Sequence, residues 1–162
     1  MPDRGFGDSK RLSEVRRIKL DQQIRDEAIA FAVAEASVEE IDSLNILHAS
    51  MLAMQRAALQ LTPQPEMALI DGNRCPQLPF PARAIVKGDQ TEACISAASI
   101  LAKVYRDALM CEMHTQYPEF GFDKHKGYPT KQHLCALREQ GVLPIHRRSF
   151  SPVSSVLEES GA

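Results

Sequence analysis

The sequence has no apolar run near the roughly 20 residues that a membrane helix needs, so it has no span of that kind. Its four cysteines, Cys75, Cys94, Cys111 and Cys135, include no C-x-x-C pair, and there is no signal-peptide pattern. They read as reduced thiols, which argues against a zinc ribbon or a disulfide framework. Internal repeats and low-complexity tracts are also missing. A formal net charge of -2 gives no bulk attraction for polyanions. What remains is ordinary: 162 residues, 44% hydrophobic and 25% charged, fit one domain or less with a buried core. The expectation is a soluble cytoplasmic chain with no membrane partner.

Residues 66–106 organise the rest. Met67 to Ile70 and Ala84 to Val86 are short apolar runs, and each leads to an aspartate beside a glycine, in Ile70-Asp71-Gly72 and Val86-Lys87-Gly88-Asp89. Such runs suit buried strands, and the glycines mark tight exits. Asp71 and Asp89 are therefore expected at strand ends, where open α/β sheets carry their sites. Two readings stay open for them. They are ordinary turn aspartates, because Asp-Gly is a common turn signal, or neighbouring carboxylates whose repulsion a hard divalent cation relieves. The second reading suggests metal-assisted phosphodiester chemistry. A small-residue helix follows, with Ile95, Ala98, Ala102, Tyr105, Leu109 and Met113 on one face.

Elsewhere, Ser13 fits the cap of an amphipathic helix bearing Leu20, Ile24 and Ala28 on one side. Ile29 to Val38 reads as a strand. Asp42 or Ser43 is expected to cap one helix over Leu44 to Leu61, with Leu44, Leu47, Met51, Met54, Ala58 and Leu61 as its buried stripe. His48 reads as packed or capping, and Pro76, Pro79 and Pro81 stiffen the loop over 74–83. Lys10 reads as an exposed loop lysine, and Lys103 and Arg106 could both face phosphate, although Arg106 can equally pair with Asp107. From Asp123 to Arg148 six cations meet two acids, a local net of +4, to which His125, His133 and His146 could add. Within that stretch Tyr128 is a turn aromatic or a ring that stacks on a sugar or base. Thr130 is expected to cap a helix ending at Gly141, and Ser154 to Ala162 to fray.

The segments DSKRLSEVRR, EIDSLNILHASMLAMQRA, IDGN, AIVKGD, ISAASILAKVYRD, HKGYPT and HRRSF occur in this order. Together they resemble bacterial ribonuclease HII, from Asp8 to about Val153. The resemblance implies an α/β fold, a ribonuclease H-like mixed sheet flanked by helices. It implies an endoribonuclease that hydrolyses the RNA strand of RNA–DNA hybrids, including single ribonucleotides embedded in duplex DNA, as ribonucleotide excision requires. Its partners would be RNA–DNA hybrid or ribonucleotide-containing duplex DNA. Its cofactor would be Mg2+ or Mn2+, two ions held by four carboxylates. Two of these map onto Asp71 and Asp89, Tyr128 maps onto the tyrosine that packs on the deoxyribose beside the ribonucleotide, and Lys10 and Lys103 lie near the substrate backbone.

The family's remaining carboxylates come from an Asp-Glu pair followed by Gly-Arg-Gly, on a first strand well before the DSK motif. Only seven residues precede Asp8 here, and Asp3-Arg4-Gly5 is a coincidental echo. The expectation is thus an incomplete domain over 1–153 lacking the first three strands, a disordered tail over 154–162, and impaired activity. A corrected gene start would supply the missing segment. The alternatives are a non-catalytic hybrid-binding fragment and a non-functional truncated product.

Overall fold

The computed structural model describes residues 12–159, so Lys10 and the Asp3-Arg4-Gly5 echo lie outside the described residues. Over the described residues the chain is mixed α/β and mostly helical, with one small parallel sheet. It packs as two units, residues 12–35 with 51–105 and residues 36–50 with 106–159.

In the first unit, helix α1 (Glu14–Glu27) starts where expected: the Ser13 hydroxyl accepts from the Arg16 N–H, and Glu14 occupies the first turn, where the helix dipole favours an anion. Its Ile24 and Leu20 pack on Ile100 and Leu101 of the long helix α5 (Ala93–Gln116), with Val33, Ala97 and Val104 around them. Ile100 is wholly buried. The strand expected over Ile29 to Val38 does not form, because no strand among the described residues lies beside it to complete a ladder. Side chains hold the stretch instead. The Tyr105 hydroxyl donates to the Glu35 carboxylate at 2.6 Å, Arg56 donates to the Glu35 carbonyl at 2.9 Å, and the Arg25 guanidinium sits over the Phe31 ring.

The face of α5 is rotated from the expected one. Ile95, Ser96, Ile100, Leu101, Asp107 and Met110 are buried, whereas Ala98, Ala102 and Tyr105 are exposed. Burying an alanine gains little transfer free energy, so the bulkier Ile100 and Leu101 decide which side turns inward.

The helix expected over Leu44 to Leu61 forms as α3 (Ile46–Leu59), and a further short helix, α2 (Val38–Leu44), precedes it. Asn45 separates them at φ 70 and ψ 165, and its side chain accepts the Leu47 and His48 N–H groups to cap α3. His48 is itself exposed. Helix α3 is thus capped by Asn45 rather than Asp42 or Ser43, and α2 by Ser37, in a reciprocal box with Glu40. Asp42 instead accepts the Arg148 N–H and both the N–H and hydroxyl of Ser149. Burial alone would raise its pKa, but these bonds outweigh burial and lower it. The expected stripe is displaced as well: Ala49 is buried, and Leu44 and Leu47 are exposed.

The core of the second unit is Met110, Phe120, Phe122, Ala136, Leu137, Val153 and Val156. The Phe120 and Phe122 rings stack at 5.4 Å, and each buried ring contributes about 1.5–3 kcal/mol by transfer. A 3-10 turn over Pro118–Phe120 leads into the single-turn α6 (Phe122–His125). Helix α7 (Lys131–Gln140) is capped by Thr130 and closed by Gly141 at φ 83, as expected. Residues 154–159 differ from the tail reading. They belong to α8 (Ser151–Glu159), because Val153 and Val156, three apart, both reach the core.

Candidate active site

Strand β1 (Ala68–Asp71) pairs in parallel with β2 (Ala82–Ile85), and Asp71 lies opposite Ile85. The strands are short, about 13 Å each, so residues 72–81 suffice to return the chain to the start of β2. That loop is stiffened by its prolines and held by a bond from the Gln55 amide to the Gln77 carbonyl. At the far end the Gly72 N–H donates to the Ile85 carbonyl at 3.0 Å, extending the ladder by one step. Gly72 then leaves at φ 111, where an L side chain would be strained.

Asp71 is therefore the last residue of its strand, as expected. Asp89 is not at a strand end. It lies in the first turn of the one-turn helix α4 (Gly88–Thr91), beyond Lys87 at φ 57. One hydrogen bond brings the two segments together: the Gly88 N–H donates to Asp71 Oδ1 at 2.9 Å. That bond fixes the Asp71 carboxylate against the residue preceding Asp89. Gly88 leaves room for the approach, since a Cβ there would lie 2.5 Å from Ile95 Cδ1 and 3.4 Å from Ile85 Cβ. Asp71 is exposed and Asp89 half-buried, so both carboxylates keep lone pairs open to solvent. As hard oxygen donors they suit Mg2+ or Mn2+, which one or two protein carboxylates can hold alongside water and substrate phosphate. Among the described residues there is no cluster of three or more acidic, histidine or cysteine groups able to hold a metal.

The second unit holds the Tyr128 loop. Lys126 and Gly127 both adopt left-handed backbone, at φ 50 and 81. The Tyr128 N–H donates to the His125 carbonyl, and the Thr130 N–H donates to the Tyr128 carbonyl, both at 2.8 Å. The turn leaves Tyr128 58% exposed, as suits a stacking ring. Beneath the loop His125, His133 and His146 are all buried, and the His125 and His133 rings stack at 4.4 Å. Burial lowers the pKa of His133, and burial together with the nearby His133 pushes His146 down to about 4. His133 and His146 are therefore uncharged at neutral pH and do not add to the basic stretch. The local pattern could have warned of this, since His133, Ala136 and Leu137 are spaced as one inward face of α7.

Lys103 is half-buried on α5. Of the basic stretch, Lys124, Lys131, Arg138 and Arg148 are exposed, the Lys126 ammonium lies 2.9 Å from Cys111 Sγ, and the Arg147 guanidinium covers the Phe150 ring.

Residues 1–153 match the family model described as Ribonuclease HII. Ribonuclease HII of Dechloromonas aromatica (strain RCB) is 59% identical over 153 residues, 94% of this chain and 78% of that protein. Ribonuclease HII of Vibrio parahaemolyticus serotype O3:K6 is 57% identical over 156 residues, covering 96% of this chain and 74% of that protein. The crystal structure of the ribonuclease H2 from Pyrococcus horikoshii OT3 is similar with a TM-score of 0.79 and 25% identity, across 96% of this chain and 81% of that one.

Proposed function

The chain belongs to the ribonuclease HII family, an enzyme family, and we propose that it is built to hydrolyse the RNA strand of RNA–DNA hybrids, including single ribonucleotides within duplex DNA. The observation that carries this reading is the Gly88 N–H bond to Asp71, which joins the end of β1 to the turn bearing Asp89. Asp71 and Asp89 would hold divalent metal, Mg2+ or Mn2+. In the two-metal scheme the ions supply activation of the attacking water and stabilisation of the leaving oxygen. The chain's own residues do the rest. Gly88 fixes the orientation of the Asp71 carboxylate, and its bond leaves the second carboxylate oxygen available. Tyr128 packs on the sugar beside the ribonucleotide, while Lys103, with Lys10 outside the described residues, neutralises backbone phosphate. Action in the cytoplasm is part of the same reading. It is supported by four free cysteines and by the lack, among the described residues, of any helix long and apolar enough to cross a membrane.

The sequence holds no Asp-Glu followed by Gly-Arg-Gly. We therefore propose that this chain, acting by itself, is impaired. The experiment compares nicking of a duplex containing one ribonucleotide, with Mg2+ and separately with Mn2+, by the chain and by a chimera. The chimera carries in front of it the N-terminal segment of the Dechloromonas aromatica relative. The chain should not cut above an Asp71→Asn control, and the chimera should. Losing a group that merely supports a metal ligand costs about 10–100-fold, so Asp71→Asn should cost the chimera more than about 100-fold. Cutting by the chain alone that vanishes in its Asp71→Asn variant would overturn the impairment. A chimera indifferent to Asp71→Asn would overturn the metal assignment.

A second reading, hybrid binding without cleavage, is favoured by the exposure of Tyr128 within the basic stretch. It predicts that the chain binds RNA–DNA hybrid with an affinity that weakens steeply with salt, and does not nick it.

A further inference from the structure

Two of the three buried histidines, His146 and His133, form a hydrogen-bonded chain whose proton positions are set by the backbone. The Leu143 N–H donates to His146 Nδ1 at 3.0 Å, so that nitrogen carries no proton and the proton of the neutral ring sits on Nε2. His146 Nε2 lies 3.1 Å from His133 Nε2, and one proton must occupy the contact. With His146 the donor, His133 Nε2 accepts and its proton sits on Nδ1, which lies 3.0 Å from the Tyr128 carbonyl. The chain thus runs in one direction, from Leu143 through His146 and His133 to the backbone of Tyr128. His125 stacks on it with its own proton fixed. The Gly127 N–H donates to its Nδ1 at 3.2 Å, which leaves Nε2 to donate to the Phe120 carbonyl at 2.6 Å.

The carbonyl that receives the His133 proton also accepts from Thr130, so both its lone pairs are used. Thr130 in turn caps α7, the helix that carries His133. The loop, its cap and the ring beneath it therefore close on one another. A left-handed pair of residues and an exposed tyrosine would otherwise cost order to hold in one position. If the His146 donor is removed, His133 can take its proton on Nε2, and the Tyr128 carbonyl loses the His133 N–H while keeping the bond from Thr130.

We propose that His146 and His133 are positioning residues: through their directed hydrogen bonds they hold the Tyr128 loop in the shape that presents its ring to the sugar at an RNA–DNA junction. The functional half of this inference rests on the reading of Tyr128 given above.

The test uses the full chain in two arms. In the first, 15N spectra of the histidine rings at pH 7 should show protons on Nε2 of His125 and His146 and on Nδ1 of His133. Hydrogen exchange of the Thr130 amide should quicken in His146→Phe by about 5-fold, the worth of one neutral hydrogen bond, and stay near the parent in His146→Gln, which keeps a donor. In the second arm, fluorescence anisotropy without metal measures how strongly the chain prefers a duplex with one ribonucleotide over the all-DNA duplex. His146→Phe should lose most of the preference that Tyr128→Ala loses, and His146→Gln should retain it.

A proton on Nε2 of His133 in the parent chain overturns the proposal even if no variant folds, and so does unchanged Thr130 exchange in a folded His146→Phe. If Tyr128→Ala loses the preference and a folded His146→Phe keeps it, the positioning role is wrong while the Tyr128 reading stands. If Tyr128→Ala keeps the full preference, the Tyr128 reading fails and takes the functional half with it, and the first arm still decides whether the histidines hold the loop.

Discussion

Replacing Gly88 with alanine tests whether the approach of α4 to β2 and α5 sets the position of Asp71. Gly88 is buried, and its backbone is not in the left-handed region, so alanine meets no dihedral penalty there. The cost is steric. The new Cβ would stand 2.5 Å from Ile95 Cδ1, well inside contact distance, and 3.4 Å from Ile85 Cβ. Cδ1 is the end of a flexible side chain, but Ile95 is only 5% exposed and has little room to turn. Overpacking of this kind costs about 1–3 kcal/mol. Ile95→Val removes the clashing methyl and by itself should cost about 0.5–1.5 kcal/mol. Most of the Gly88→Ala penalty should therefore disappear in the double variant, giving a coupling of about 1 kcal/mol or more in a double-mutant cycle. Urea unfolding of the four proteins measures it. In the chimera, Gly88→Ala should also slow nicking, because the Gly88 N–H that orients Asp71 moves with the displaced turn, and Ile95→Val should recover part of the rate. Stabilities additive within about 0.5 kcal/mol would refute the contact as the source of the cost.

The buried histidines make stability depend on pH. With His146 depressed from 6.5 to about 4, the unfolded chain binds more protons than the folded one between those values, so stability is full above about pH 6.5 and falls as pH drops toward 4. A shift of that size amounts to about 3 kcal/mol across the window, and His133, depressed in the same direction, adds to it. Urea midpoints at pH 7 and pH 4.5 should fall less for His146→Gln than for the parent chain, and equal slopes would contradict the assignment. Gly127→Ala should destabilise by about 1–2 kcal/mol, because φ 81 strains an L side chain, and its Cβ would stand 3.0 Å from the Arg106 guanidinium and 3.3 Å from Met110 Sδ. A thermal midpoint unchanged from the parent would count against that.

How much of this was legible in the sequence depends on how far each feature reaches along the chain. Local chemistry read well: Ser13 and Thr130 cap the helices expected of them, Gly141 closes α7, and Asp71 ends its strand. Errors arose where a distant partner decides. Ile29 to Val38 has the composition of a strand but lacks a ladder among the described residues, and composition carries no information about a neighbour. Asn45 sits in a run of helical periodicity, and only its own backbone angle breaks that run. Asp42 looked like a cap because capping residues and loop anchors share one chemistry. What separates them is Ser149, which lies 107 positions away. Asp89 looked like a strand end for a related reason. Lys87 and Gly88 turn the chain into α4 so that an N–H can face Asp71, a purpose visible only once β1 and β2 lie side by side. The histidines make the same point for charge. Beside lysines in the sequence they read as added cations, yet at neutral pH burial keeps His133 and His146 uncharged and turns them into a directed chain of hydrogen bonds. A residue's chemistry can thus be named from the sequence, but its protonation state follows from what the fold packs around it.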